Sequence, residues 1–150
     1  MTAQAAPESS AADSQPAAVR CVIVVDEALP PGLAANAAAM VALTLGATVE
    51  SLPGADLVDA DGNAHPGLVA AGIPILAAAR EHLPDLRARA EGSGVGVVDF
   101  PAYGQQTTDY ESVIERVGRT PAADLEYLAV ALHGPPRAVR RLSGNLRLLR

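Results

Sequence analysis

The chain has 150 residues, 49% of them hydrophobic, which fits one domain with a sizeable core. Net charge is −6, and all eleven basic residues are arginine; the absence of lysine excludes Schiff-base chemistry, a P-loop lysine and a Ser-Lys dyad. The single cysteine, Cys21, excludes an internal disulfide; lying inside an apolar run, it reads as a buried, inert thiol in a cytoplasmic protein.

Residues 1–19 are small, polar and proline-containing, and they read as a disordered tail preceding a single α/β domain over 20–150. Neither a secretory signal nor a membrane span is expected. The β-branched run RCVIVVD (20–26) predicts a strand buried on both faces. PPGLAANAAAMVALTLG (30–46) predicts a helix opened by Pro31, stopped at Gly46 and buried broadly against a sheet. DLVDADGNAHPG (56–67) predicts a hairpin turning at Asp61-Gly62. GIPILAA (72–78) predicts a strand that Pro74 pushes toward an edge or a strand start. A helix over 84–92 and a third buried strand over 95–100 follow, then a loop over 101–107. Residues 108–119 predict a helix with Thr108 and Glu111 at capping-box spacing. TPAADLEY predicts a short helix capped by Thr120, and YLAVALHG (127–134) another strand. PPRAVRRLSG predicts a short basic helix, with NLRLLR closing the chain. Alternating strands and helices define the α/β class with a mixed, mostly covered sheet.

Several patterns imitate known sites and fail on spacing. DADGN (59–63) has its glycine at the fourth position of a calcium loop rather than the sixth, and Ala70 stands where the twelfth-position glutamate belongs. The glycines of GSGVGVVD (92–99) lie between a helix and a strand, the reverse of a dinucleotide fingerprint. His65, His82 and His133 lack metal-ligand spacing, so no metal and no cofactor is expected; His65 and His133 end elements and stand as cleft candidates. No G-x-S-x-G elbow occurs.

Asn36 stands out among alanines, where it costs about 0.5–0.7 kcal/mol of helix propensity. Two roles stay open for it: bonding a neighbouring loop, or reading a ligand near the strand C-termini where α/β sheets bind them. Asp26 is expected to accept the free N–H groups of Gly32 and Leu33 at the helix start. Asp99 ends a strand beside the Tyr103 loop; it is read either as an acceptor that orders the loop or as a general base. Residues 137–150 hold five arginines and no acid, so Arg137, Arg140 and Arg141 are candidate phosphate contacts.

CVIVVDEALPPGLAANAAAMVALTLG, DLVDADGNAHPG and DYESVIERVGRTPAADLEYLAVALHGPPRAVRRLSGNLRLLR together resemble the family called domain of unknown function 2000, from about Arg20 to Arg150. That family resembles peptidyl-tRNA hydrolase type II in fold. GLAAN stands where the type II enzymes carry Gly-Lys-x-Ala-Ala-Gln, and LHGPPRAVRRLSGNLRLL stands at their Gly-Pro, short helix and Thr-Gly-x-Leu-Lys-Leu ending. Leu33 takes the lysine position and Asn36 the glutamine position, while the later helix histidine has no counterpart. The resemblance matches Asp99 to the active-site aspartate and Thr107 or Thr108 to a nearby threonine. It implies a three-layer α/β/α sandwich around a four-stranded mixed sheet.

Three functions follow as expectations. The first is binding or hydrolysis of a small acyl or amide compound between the Asp26–Asn36 segment and the Asp99–Thr108 loop, with Asn36 and Asp99 catalytic and Asp26, Gly32, His65, Tyr103, Thr108 and His133 lining the site. The second is a non-catalytic interaction module or homodimer. The third is peptidyl-tRNA hydrolysis, with the arginines on tRNA phosphate.

Overall fold

The apolar run near the N-terminus forms β1 (Arg20–Asp26), six of whose residues, Cys21 to Asp26, are buried. In the computed structural model, which describes residues 19–50 and 52–150, the expected tail lies outside the described residues apart from Val19, which packs against the core. After a turn come α1 (Pro31–Thr48), β2 (Leu57–Val58), β3 (Ala64–His65), β4 (Ile75–Ala78) and α2 (Leu83–Glu91). β5 (Gly96–Pro101), a 3-10 turn (Ala102–Gln105), α3 (Tyr110–Arg119), β6 (Tyr127–Gly134), α4 (Pro136–Ser143) and β7 (Arg147–Leu148) complete the order.

The main sheet has five strands, ordered β5-β6-β1-β4-β7, where four were expected. The extra strand is β7, which pairs antiparallel with β4 through Leu76↔Leu148 and Ala77↔Arg147. β4 is therefore not an edge: it lies between β1, its parallel partner, and β7. Pro74 sits just before it, where its missing N–H is not needed, and its carbonyl accepts from the Ile23 N–H at 3.0 Å. β5, expected to be buried, is the opposite edge and is mostly half-buried. The small hairpin β2–β3 turns at Gly62, whose φ of 86° suits glycine.

The sheet splits the core into two. On one face Cys21, Ile23, Val25, Phe100 and Ala131 pack against Ala34, Ala37, Val41 and Leu45 of α1. On the other, Val22, Val24, Val130 and Leu132 pack against Leu83, Leu86 and Ala90 of α2 and Val139 and Leu142 of α4. Helices thus cover both faces.

Three local expectations are corrected. α1 runs through Gly46 to Thr48 rather than stopping there. Gly46 is exposed with open space around its Cα, so Gly46→Ala should stabilise the protein by about 0.5–1 kcal/mol, read from the denaturant midpoint. α3 is capped by Asp109, whose carboxylate accepts from the Ser112 N–H and hydroxyl, and not by Thr108. TPAADLEY forms only a 3-10 turn over Ala122–Asp124; Thr120 instead donates to the Arg116 carbonyl at 2.7 Å.

Helix α1 is also not buried all round. Leu33 and Met40 are each 45% exposed and Leu43 is 74% exposed. Against expectation, it is long and apolar enough by length and composition to cross a membrane, the one such helix among the described residues; its Ala34, Ala37, Ala38, Val41 and Leu45 lie buried.

Candidate ligand-binding cleft

An apolar cleft of about 590 Å³ opens where α3 stands off the sheet. Met40, Val41 and Thr44 of α1 form one wall, and Val113, Ile114 and Val117 of α3 form the other. Phe100 and Pro101, at the C-terminal end of β5, make the floor, and Thr107 and Thr108 stand at the mouth. α3 is strongly amphipathic yet has no buried residue, because its apolar side faces this space rather than the core.

The segment between β5 and α3 is held by polar contacts. Tyr103 lies under the Arg116 guanidinium, 4.7 Å from ring centroid to Cζ, and its hydroxyl meets Thr120 Oγ1 at 3.3 Å. Arg116 also donates to Gln106 Oε1 at 2.9 Å. Tyr103 is thus occupied in fixing the 3-10 turn to α3. Gly104 is required by packing: a Cβ there would lie 2.2 Å from the Phe100 ring. The Gly104→Ala variant should displace that ring and cost about 1–3 kcal/mol, measured by thermal melting and by the Phe100 aromatic resonances.

The residues expected to work together are divided by the sheet. Val98 and Phe100 point to the α1 face and Val97 to the other, so alternation turns the Asp99 carboxylate away from α1. It accepts from Arg87 Nε of α2 at 2.6 Å. That bond holds the Arg87 guanidinium's pKa above its usual value, and Arg87 lies over the buried Tyr127 ring, 5.7 Å from its centroid. Burial pushes the Tyr127 phenol up, against the opposing pull of Arg87. Asn36 lies on the exposed side of α1, where its Oδ1 accepts from Gln105 Nε2 at 3.4 Å; the same group donates to the Leu33 carbonyl at 2.8 Å. Asn36 and Asp99 are therefore not brought together.

The remaining candidates scatter. Asp26 is 1% exposed and accepts from the Ala28 N–H at 3.0 Å and Arg80 Nε at 2.7 Å, not from Gly32 or Leu33. The Ala28 and Arg80 donors take up the carboxylate, and the start of α1 is capped by no side chain. Gly32 is exposed with open space around it. His65 is exposed on the hairpin, 3.5 Å from Asp59. His133 sits at the end of the sheet opposite Asp26, its ring so close over Gly96 that a Cβ there would lie 2.2 Å from Nε2. Arg137, Arg140 and Arg141 are exposed on α4, on the α2 side of the sheet, and join no ion pair among the described residues. Of the named residues, Asp99, Thr107 and Thr108 border the cleft. Sequence reading missed Arg80, and it missed the α3 wall although Val113, Ile114 and Val117 recur at helical spacing.

No group of three or more potential metal ligands occurs among the described residues. Cys21 is buried on the α1 face, and burial raises its thiol pKa. It should resist a thiol reagent in the native protein and react at once on unfolding, a contrast read from the absorbance of the released chromophore.

A mixed five-stranded sheet covered by helices on both faces, with an apolar cleft beside its β5 edge, defines a small α/β protein. Residues 19–150 match the model of the family described as "Protein of unknown function (DUF2000)", and the chain belongs to that family. Among solved structures it is similar to the protein of unknown function Atu0240 from Agrobacterium tumefaciens strain C58, with a TM-score of 0.80 at 15% identity over 87% of this chain and 96% of that one. That likeness shows the shared fold. No curated protein matches the chain.

Proposed function

We propose that the protein binds a small, largely apolar compound carrying an acyl or amide group in the cleft between α1 and α3. The observation that carries this reading is the cleft itself: about 590 Å³, walled by aliphatic side chains and rimmed by Thr107 and Thr108. Such a space, mostly apolar with a few convergent polar groups, is the common form of a small-molecule site. Binding is favoured over hydrolysis by geometry. A general base must reach the proton it abstracts, and the Asp99 carboxylate faces the other side of the sheet with Arg87 as its partner.

The resemblance to peptidyl-tRNA hydrolase type II supports the α/β/α architecture within the same reading and lends less to its activity. The arginines proposed for phosphate lie on α4, across the sheet from the cleft.

The test is titration of the protein with a panel of N-acyl amides and acyl esters, followed by calorimetry and by chemical shifts of Val113 and Val117. Saturable binding at one site is expected, weakened at least tenfold in Val113→Trp, which fills the cleft. Equal binding by both proteins would place the ligand elsewhere, and no binding by either would end the proposal. In parallel, wild type and Asp99→Asn are assayed for release of an N-blocked amino acid from its tRNA. Release by wild type that disappears in the variant would restore the hydrolase reading.

A further inference from the structure

We propose that the ligand of the cleft is a cationic amphiphile: an acyl amide whose N-alkyl arm ends in an ammonium group, with the acyl chain between α1 and α3, the amide at Thr107 and Thr108, and the ammonium beside Asp109 and the Tyr110 ring. This inference rests on the function proposed for the cleft and adds the charge of the ligand and its direction.

The walls suit the chain end. Met40 and Val41 face Val113, Ile114 and Val117 across a floor made by Phe100, and none of these side chains is charged. Val117 lies two turns along α3 from Tyr110, about 10 Å at 1.5 Å per residue. The polar groups collect at the other end, where α3 begins: Thr107, Thr108, Asp109 and Tyr110 border the same cleft. A molecule that satisfies both ends is apolar for most of its length and polar at one tip.

The polar end favours positive charge. No arginine or histidine lines the cleft among the described residues. The cations of α3 are committed elsewhere: Arg116 lies over Tyr103 and donates to Gln106, and Arg119 pairs with Glu115. Asp99 borders the floor but gives its carboxylate to Arg87. At the mouth stands the Asp109 carboxylate, held below its usual pKa by its Ser112 contacts, with the exposed Glu111 in the first turn of α3. These two carboxylates outweigh the roughly half positive charge that the backbone presents at a helix start. Beside Asp109, Tyr110 is 74% exposed. A carboxylate next to an open aromatic ring suits an alkylammonium group, which gains from the charge and from the ring face. A carboxylate-ended ligand would find the hydroxyls of Thr107 and Thr108 and the repulsion of two acids. The wider field acts in the same sense: residues 20–136 hold six arginines against fifteen acids, which draws cations to this surface.

The proposal is tested with a set of octanamides whose N-alkyl arms have equal length and end in an ammonium, a methyl or a carboxylate. Calorimetry at low salt should rank them in that order. The ammonium arm should bind about tenfold tighter than the carboxylate arm, the scale of one exposed ion pair combined with one cation–π contact. High salt should narrow the difference. Asp109→Asn should narrow it to about threefold or less, and because asparagine caps a helix as well as aspartate does, the charge is removed while α3 is kept. Circular dichroism checks that α3 is kept. Tyr110→Leu should weaken the ammonium arm alone, since leucine keeps the apolar surface and loses the ring. Equal affinity for all arms, weakened in Val113→Trp, would overturn the assignment of charge and leave the cleft as the binding site. A carboxylate arm that binds tightest, or an ammonium preference untouched by both Asp109→Asn and Tyr110→Leu, would overturn it likewise. No binding by any arm would overturn it together with the function proposed for the cleft.

Discussion

The Leu45→Ala variant should lose about 3 kcal/mol of stability, the usual scale for emptying a fully buried leucine site. Leu45 is 0% exposed and packs in the cluster that joins α1 to β1 and β6. Its carbonyl also accepts from the Val49 N–H at 2.9 Å, closing the helix. Against a total stability of about 5–15 kcal/mol, that loss is large. Leu43, two residues earlier, is 74% exposed, and Leu43→Ala should change the stability of the monomer by about 0.5 kcal/mol or less. Urea denaturation of both variants at low protein concentration compares them. Equal losses would mean that α1 is not seated on the sheet by the Ala34–Val41–Leu45 stripe.

Asp26→Ala should cost about 2–3 kcal/mol, the scale of a buried hydrogen-bonded charge. The carboxylate is 1% exposed and serves two donors, the Ala28 N–H and Arg80 Nε. Removing it leaves both without their acceptor. Arg80 is 40% exposed and lies 3.7 Å from Glu126, so it can turn to water and to that carboxylate. That escape keeps the loss below the roughly 3–5 kcal/mol of breaking a fully buried pair. Asp99→Asn keeps its shape and only weakens a half-exposed pair with Arg87, so its cost should stay near 1 kcal/mol. Thermal melts of the two variants would refute this account if Asp99→Asn were the more damaging.

Acid should act first on α3. The Ser112 contacts hold the Asp109 carboxyl below its usual pKa. A carboxyl depressed in the folded state stabilises it above the unfolded pKa of about 4, and that contribution is lost as pH falls through the folded value. Amide exchange at Ser112 and Val113 should therefore accelerate at a pH where the sheet is still protected. Uniform acceleration across β1 and β6 would show that α3 is not a separately opening element.

Much of the fold was legible in the chain. The β-branched run at β1 and the apolar run at β6 could be satisfied only by burial on both faces, and Asp61-Gly62 is a turn by its own backbone preference. Pro31 and Pro136 mark helix starts because a missing N–H costs nothing there. β7 was not legible: two residues, Arg147 and Leu148, are too few to show a period, and their pairing comes from β4 and from Arg147 Nη2 donating to Glu27 Oε2 at 2.6 Å. The cap of α3 was misplaced by one residue because Thr108 and Asp109 are both good caps, and only the chain's path into the helix chooses between them.

The candidate site shows the same division. Asn36 stands out by residue type inside α1 and Asp99 near the end of β5, but residue type carries no information about which face of a sheet a side chain takes. Register does, and one step along β5 separates the Phe100 ring on the α1 side from the Asp99 carboxylate on the α2 side. In α1 the ambiguity is deeper still, since a helix that is apolar all round has no amphipathic signal. The sequence by itself determined the α/β class, the buried strands β1 and β6 and a buried cysteine, because these follow from local propensity and hydrophobicity. Which face of α1 is spent on the core, which carboxylate meets which arginine, and where a cleft remains were decided only by the tertiary structure, because they depend on contacts between residues far apart in the chain.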